Sequence, residues 1–145
     1  MKNITLLIDA NVLLNYLLNR PPECVYAKEI LDFCRRKKIN GYMAFHTVSI
    51  IWYALRKKAV QERRSLLLDL CELVKVTGAS HEDVISAIKN DIFVDFEDCL
   101  QEKCAKKVNA EYIVTENIKD FAQSSIPAVT SAQMADILSE IYGHI

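Results

Sequence analysis

Carboxylates stand at three places in this chain where an apolar run ends or a helix begins. Leu6-Leu7-Ile8 runs into Asp9, Asp95-Phe96-Glu97-Asp98 opens a helical stretch, and Thr115-Glu116-Asn117-Ile118-Lys119-Asp120-Phe121 follows the run Tyr112-Ile113-Val114. In an open α/β sheet, strand C-termini and helix N-termini converge on one crevice, where such folds bind ligands. Acids gathered there from distant parts of a chain repel one another unless a proton or a cation joins them. The chemistry implied is a site for a divalent metal.

Taken singly, most of these acids have a plainer explanation. Asp9 can cap the turn that ends its strand, and Asp95 is a ready N-cap. Glu97 suits the positive end of a helix dipole, and Asp120 suits a solvated turn. Asp98 is different, because Cys99 and Leu100 follow it and carry it toward the buried side of its helix.

The elements that must position these acids are legible in outline. Ile4 to Ile8 is a continuous β-competent run, as expected of a strand buried on both faces. Asn11 to Leu18 has helical apolar spacing, and Pro21-Pro22 breaks it and starts the next helix at the position Pro prefers. Val25, Ala27, Ile30, Leu31 and Cys34 form that helix's apolar face. Asn40-Gly41 predicts a turn before a second strand at Tyr42 to Phe45. Thr47 or Ser49 is expected to cap a helix running through Leu55 to Lys58, followed by a helix over Val60 to Leu73 and a strand at Val74 to Val76. Ser80-His81-Glu82-Asp83 has the form of a capping box, with Asp in place of Glu or Gln. Asp95 opens a further helix to Val108. Strands are expected at Tyr112 to Val114 and Ala128 to Thr130, and Ser131 is expected to cap a last helix to Tyr142. Strands alternating with helices predict a three-layer α/β/α fold with a mainly parallel central sheet of about five strands. Without a linker or internal repeat, residues 1–145 are expected to form a single domain.

A chain of 145 residues that is 51% hydrophobic and 26% charged has the composition of an ordinary globular protein. Its apolar runs are too short to cross a bilayer, and Met1-Lys2-Asn3 leads straight into the first strand without signal-peptide architecture. Five cysteines, with no C-x-x-C pair, support neither a zinc site nor a disulfide framework. Reduced packing cysteines in a cytoplasmic protein are expected. The net charge of -1 hides an asymmetry. Arg35, Arg36, Lys37, Lys38, Arg56, Lys57, Lys58, Arg63 and Arg64 fall in one stretch, while acids crowd between Glu82 and Glu102. A basic flank beside an acidic centre suits a polyanion held at a metal site; helix-end cations complementing the dipole explain the same clusters equally well.

Ile8-Asp9-Ala10-Asn11-Val12-Leu13-Leu14, Asp95-Phe96-Glu97-Asp98-Cys99-Leu100-Gln101 and Ile113-Val114-Thr115-Glu116-Asn117-Ile118-Lys119-Asp120-Phe121 together resemble the three signatures of PIN-domain proteins. That family comprises metal-dependent ribonucleases, many of them toxins of bacterial toxin–antitoxin pairs. The resemblance implies that Asp9 and Asp98 ligate Mg²⁺ or Mn²⁺, with Asp120 as a further catalytic acid. Asn117 matches a position where many members carry Asp, Thr115 matches the hydroxyl residue that steadies the first carboxylate, and Asn11 would orient the loop after the first strand. One departure stands out: members commonly place an acid, usually Glu, early in the helix after the second strand, and the matching residue here is Ile50. His46 lies one turn earlier, but imidazole is a poor substitute for a hard oxygen ligand of Mg²⁺, and a structural role is expected of it. Trp52 and Tyr53 are expected in packing or a dimer contact rather than in base stacking.

The function implied is an endoribonuclease hydrolysing phosphodiester bonds of single-stranded RNA. Arg35, Arg36, Lys57 and Lys58 are expected to contact the RNA, with an antitoxin protein and a second copy of the chain as partners. A degenerate PIN domain that binds RNA or a protein without cleavage is the alternative, because Ile50 removes a ligand. A phosphoacceptor signalling domain ranks lower, since Ala128-Val129-Thr130-Ser131-Ala132 lacks the Lys that fold wants after its fifth strand.

Overall fold

A computed structural model describes residues 3–93 and 95–143. Five strands, β1 (Ile4–Ile8), β2 (Ile39–Ala44), β3 (Lys75–Thr77), β4 (Tyr112–Val114) and β5 (Ala128–Val129), form one sheet in the order β3-β2-β1-β4-β5. Every pairing is parallel. The chain builds outward from β1 to β2 and β3, then returns to add β4 and β5 on the other side. The reversal lies between β1 and β4, and the crevice at such a switch point is where ligands bind in open α/β sheets.

Seven α-helices accompany the strands among the described residues: α1 (Ala10–Leu17), α2 (Glu23–Arg35), α3 (Phe45–Ala54), α4 (Val60–Leu73), α5 (His81–Lys89), α6 (Phe96–Lys107) and α7 (Ser131–Tyr142). Successive strand side chains point to opposite faces, and β1 accordingly feeds two cores. Leu6 and Ile8 pack with Leu13, Ile30, Phe33 and Leu138, whereas Leu7 packs with Cys99, Ala105 and Ile113. Both faces are covered, as the unbroken apolar run of β1 requires. Helices α1, α2 and α6 end in residues with left-handed backbone, Asn19, Lys37 and Asn109. At each, the following N–H turns back to an earlier carbonyl, as Arg20 does to Asn15 at 2.9 Å.

The structure moves several expected boundaries. Asn40-Gly41 is not a turn but lies inside β2, where Gly41 pairs with Leu6. A Cβ on Gly41 would stand 2.8 Å from Cys34 Sγ and 3.0 Å from Val74 Cγ1, so this glycine serves a close approach of α2 to the sheet. Helix α3 starts at Phe45 without a side-chain cap, enclosing Thr47 and Ser49, and stops at Ala54 rather than Lys58. Pro22 precedes the first residue of α2, and β3 begins at Lys75. The capping box at Ser80 and Asp83 forms as expected. The last helix is capped by Thr130 with Gln133, not by Ser131. Ser131 is buried and instead donates its hydroxyl to Glu116 Oε2 at 2.7 Å, tying the loop after β4 to α7.

Candidate metal centre

Asp9 follows the last residue of β1, and its backbone N–H extends the ladder to Val114 O at 2.9 Å. Its carboxylate is surrounded by donors. Oδ1 accepts from the Ala10 N–H at 2.8 Å and from Gln101 Nε2 at 2.9 Å. Oδ2 accepts from Thr115 Oγ1 at 2.9 Å and Asn11 Nδ2 at 3.3 Å. Burial pushes this carboxyl's pKa up, and the Thr115 and Ala10 hydrogen bonds pull it back. The charge of Asp120 adds to the rise.

Asp98 sits in the first turn of α6, half-buried, with its pKa pushed up to about 7. Desolvation is the main cause, and the charges of Asp95, Asp120, Asp9 and Glu97 add to it. The fold therefore brings Asp9, Asp98 and Asp120 from three segments into mutual electrostatic range, with Asp95 and Glu97 beside them. Asp95 is an N-cap, accepting from the Glu97 N–H at 2.7 Å. Asp120 lies exposed in a 3-10 turn, Ile118–Phe121, in keeping with a solvated turn residue.

Thr115 is fully buried and links two of these segments: besides donating to Asp9 it receives Asn11 Nδ2 at 3.4 Å and the Asn117 N–H at 3.1 Å. Asn11 also accepts from the Glu116 N–H at 3.3 Å, so it joins the loops after β1 and β4. Asn117 itself is exposed. Ile50 is half-buried on α3 and offers no oxygen. His46 lies close enough for the charges of Glu97 and Asp9 to act on it, yet desolvation dominates and lowers its pKa. Its Nε2 is buried without a partner among the described residues.

Two residues were missed by sequence reasoning. Gln101, three positions after Asp98 on α6, is 3% exposed and reaches both Asp9 and Thr47 Oγ1, the latter at 3.3 Å. Thr47 is fully buried on α3. The available signal was a long polar side chain one helical turn from Asp98, on the side of α6 that also buries Cys104 and Ala105.

Among the described residues, no three His, Cys, Asp or Glu side chains converge tightly enough to grip an ion. The donor set nonetheless fits a hard divalent cation in kind. It consists of carboxylates plus one buried amide oxygen, Gln101 Oε1, which has no partner among the described residues.

The expected basic surface divides in two. Arg35 and Arg36 close α2 just before β2, beside Lys37, whose carbonyl accepts from Asn3 Nδ2 ahead of β1. They stand at the N-terminal edge of the sheet, roughly 16 Å of strand away from Asp9, and Arg35 is paired with Asp32. The structure thus separates them from the carboxylates, because α2 must carry the chain back to the N-terminal edge before β2 can run parallel to β1. Lys57 and Lys58 lie elsewhere, in a groove of about 570 Å³ that they line with Arg20, Arg56, Leu18 and Leu55. Lys58 also pairs with Glu62 at 3.4 Å. Trp52 packs under the Arg63 guanidinium at 4.4 Å, and Arg56 covers the ring of Tyr53 at 4.3 Å.

The fold has solved counterparts. The VapBC2 structure from Rickettsia felis, bound to a DNA fragment from its promoter, superposes with a TM-score of 0.67 at 15% identity, over 88% of this chain and 98% of that one. A toxin–antitoxin complex from Klebsiella pneumoniae gives 0.64 at 21% identity, over 86% and 96%. Mycobacterium tuberculosis VapC20, described as a sarcin–ricin loop cleaving toxin, gives 0.54 at 12%, over 74% and 86%. At these identities the likeness is one of fold. Curated proteins yield no significant match. A sequence model of the PIN domain matches residues 5–119, taking in Asp9, Asp98, Thr115 and Asn117. With that match across most of the chain, and its acids at the switch point of a parallel sheet, this protein belongs to the PIN domain family.

Proposed function

We propose that this chain is a metal-dependent endoribonuclease that hydrolyses phosphodiester bonds of single-stranded RNA and acts as the toxin of a toxin–antitoxin pair. The observation that carries the reading is the accumulation of like charge about Asp98, where Asp95, Asp120, Asp9 and Glu97 join burial in holding its pKa near 7. Such a cluster is relieved by a cation.

Mg²⁺ or Mn²⁺, when bound, supplies charge neutralisation at the scissile phosphate and lowers the pKa of a water for attack. Asp9 and Asp98 are the residues to hold it. Thr115 and Asn11 fix Asp9 in place, so its carboxylate is oriented before the ion arrives. Asp120 adds negative charge from the exposed 3-10 turn. Arg20, Arg56, Lys57 and Lys58 offer an RNA backbone a cationic groove set away from the acids.

Partner proteins follow from the same reading. Structural neighbours include complexes described as toxin–antitoxin assemblies and VapBC pairs, and an antitoxin is proposed for this chain by analogy. Exposed Phe45, Ile88, Ile92 and Phe96 leave apolar surface for a second copy or an antitoxin to cover. Among the described residues no helix is long and apolar enough to cross a membrane; a cytoplasmic site of action belongs to the toxin reading.

The deciding experiment is cleavage of a 3′-labelled single-stranded RNA by the purified chain with Mn²⁺, with chelator, and with Asp9→Asn. Products bearing 5′-phosphates, lost under both controls, are expected; no metal-dependent cleavage on any single-stranded RNA overturns the reading. A second reading, a PIN domain that binds without cutting, is favoured by one observation: Ile50 occupies the position of an acid, while Asp9 already has four protein donors.

A further inference from the structure

Gln101 joins the carboxylate cluster through its nitrogen and leaves its oxygen idle. Nε2 donates to Asp9 Oδ1 at 2.9 Å and to Thr47 Oγ1 at 3.3 Å. Oε1 is buried with no partner among the described residues, on a side chain only 3% exposed. Buried polar atoms are nearly always paired, and an exception in a cleft invites the question of what pairs it.

The two ends of an amide are alike in shape, and a half-turn of the terminal torsion exchanges them. After that turn Oε1 occupies the place of Nε2, about 2.9 Å from Asp9 Oδ1. Two bare oxygens so placed repel. Two oxygens on adjacent corners of an octahedral Mg²⁺, each about 2.1 Å from the ion, stand roughly 3 Å apart. Thr47 accommodates both states, since a hydroxyl that accepts from Nε2 can rotate and donate to Oε1. The exchange leaves one amide atom unpaired either way, so the cation is what decides between them.

We propose that Gln101 is a ligand of the divalent cation. Its amide oxygen stands beside Asp9 Oδ1 and replaces the carboxylate missing at Ile50. The inference rests on the metal-dependent reading above and adds a residue to it. Without a cation, the Gln101 N–H group holds Asp9; with one, the amide turns and the same side chain contributes a neutral oxygen. A neutral ligand leaves the ion with more net positive charge than a carboxylate would, and weaker binding than in a site with the full set of acids follows.

Mn²⁺ titration calorimetry on the intact chain tests this with two substitutions of nearly equal size. Gln101→Leu removes both amide atoms and should weaken Mn²⁺ binding at least tenfold. Gln101→Glu keeps the oxygen, adds a charge and loses the donor; it should bind Mn²⁺ several-fold more tightly than the wild type, and Mn²⁺ should raise its unfolding temperature more. If Gln101 serves only by donating to Asp9, Gln101→Leu frees Asp9 Oδ1 for the cation and binds Mn²⁺ more tightly than the wild type, which overturns the proposal. Unchanged binding by Gln101→Leu overturns it as well. Should Gln101→Leu not fold, Gln101→Met, which keeps the length and removes both amide atoms, takes its place. Absence of Mn²⁺ binding by the wild type overturns the metal-dependent reading itself, a result distinguishable from either variant outcome.

Discussion

Thr115 at the end of β4 donates its hydroxyl to Asp9 at the end of β1 over 2.9 Å, across 106 positions of sequence. The two strands are paired in register, Ile8 with Val114, so the residues that follow them are neighbours by construction. Thr115→Val keeps the shape, strips a donor from Asp9 and leaves the Asn117 N–H without its acceptor. The expected loss is about 1–3 kcal/mol of stability, together with weaker Mn²⁺ binding, read by denaturant unfolding and calorimetry. A variant as stable as the wild type would mean the hydrogen bond is dispensable.

Asp9→Asn and Asp98→Asn should each abolish detectable Mn²⁺ binding while leaving circular dichroism unchanged. Retained binding in both would place the ion elsewhere.

Ile50→Glu is expected to raise Mn²⁺ affinity, because it restores a carboxylate at the position the family pattern assigns to one. Ile50 is half-buried, so an uncompensated charge there should lower stability of the metal-free protein by about 1–3 kcal/mol, and Mn²⁺ should recover part of it. Lost stability with no gain in affinity would identify Ile50 as a packing residue only.

The stability of the metal-free protein should fall as pH rises. Asp98 keeps its proton up to about pH 7 in the folded chain but loses it near 3.8 when unfolded. Between those values the native state binds more protons, so ΔG of unfolding decreases with pH. The stabilising difference is fully present below about pH 4 and gone above pH 7. Asp98→Asn should flatten this dependence and gain about 1 kcal/mol at pH 8, a modest figure because a half-exposed group is screened by water. Thermal melts from pH 5 to 8 check the slope; a rise with pH attributable to Asp98 would reverse the sign argued here.

RNA affinity should depend on the groove at Arg20, Arg56, Lys57 and Lys58 and not on Arg35 and Arg36. Lys57→Gln with Lys58→Gln is expected to weaken binding and to reduce the steepness of its salt dependence by about two phosphate contacts. The same exchange at Arg35 and Arg36 should change little. Equal effects from both pairs, measured across a salt series, would restore the broader basic surface.

Much of this molecule is legible along the chain because the signals are local. The apolar run of β1, the capping box at Ser80 and Asp83, and the N-cap at Asp95 depend on neighbours within a few residues, and all three stand as expected. The parallel sheet follows from the alternation of strands and helices, since each strand must be followed by a crossover before the next can pair alongside. The three motifs that hold Asp9, Asp98 and Asp120 together resembled the family's signatures, though no one acid did, and the family model matches residues 5–119.

What the sequence left open is what distance in space decides. Asn40-Gly41 has the composition of a turn, and it is pairing with Thr5 and Leu6 of β1 that makes it a strand, with Cys34 and Val74 leaving no room for a Cβ at Gly41. Arg35 and Lys57 are neighbours in a basic stretch, yet a helix that must recross the sheet carries Arg35 to the edge opposite Asp9. Gln101 is an unremarked polar residue on a helix until α6 docks on β1 and brings its amide to Asp9. The types of the acids are written in the chain. Which donors hold them, and where the basic side chains come to stand, follow from crossovers and packing that no local pattern encodes.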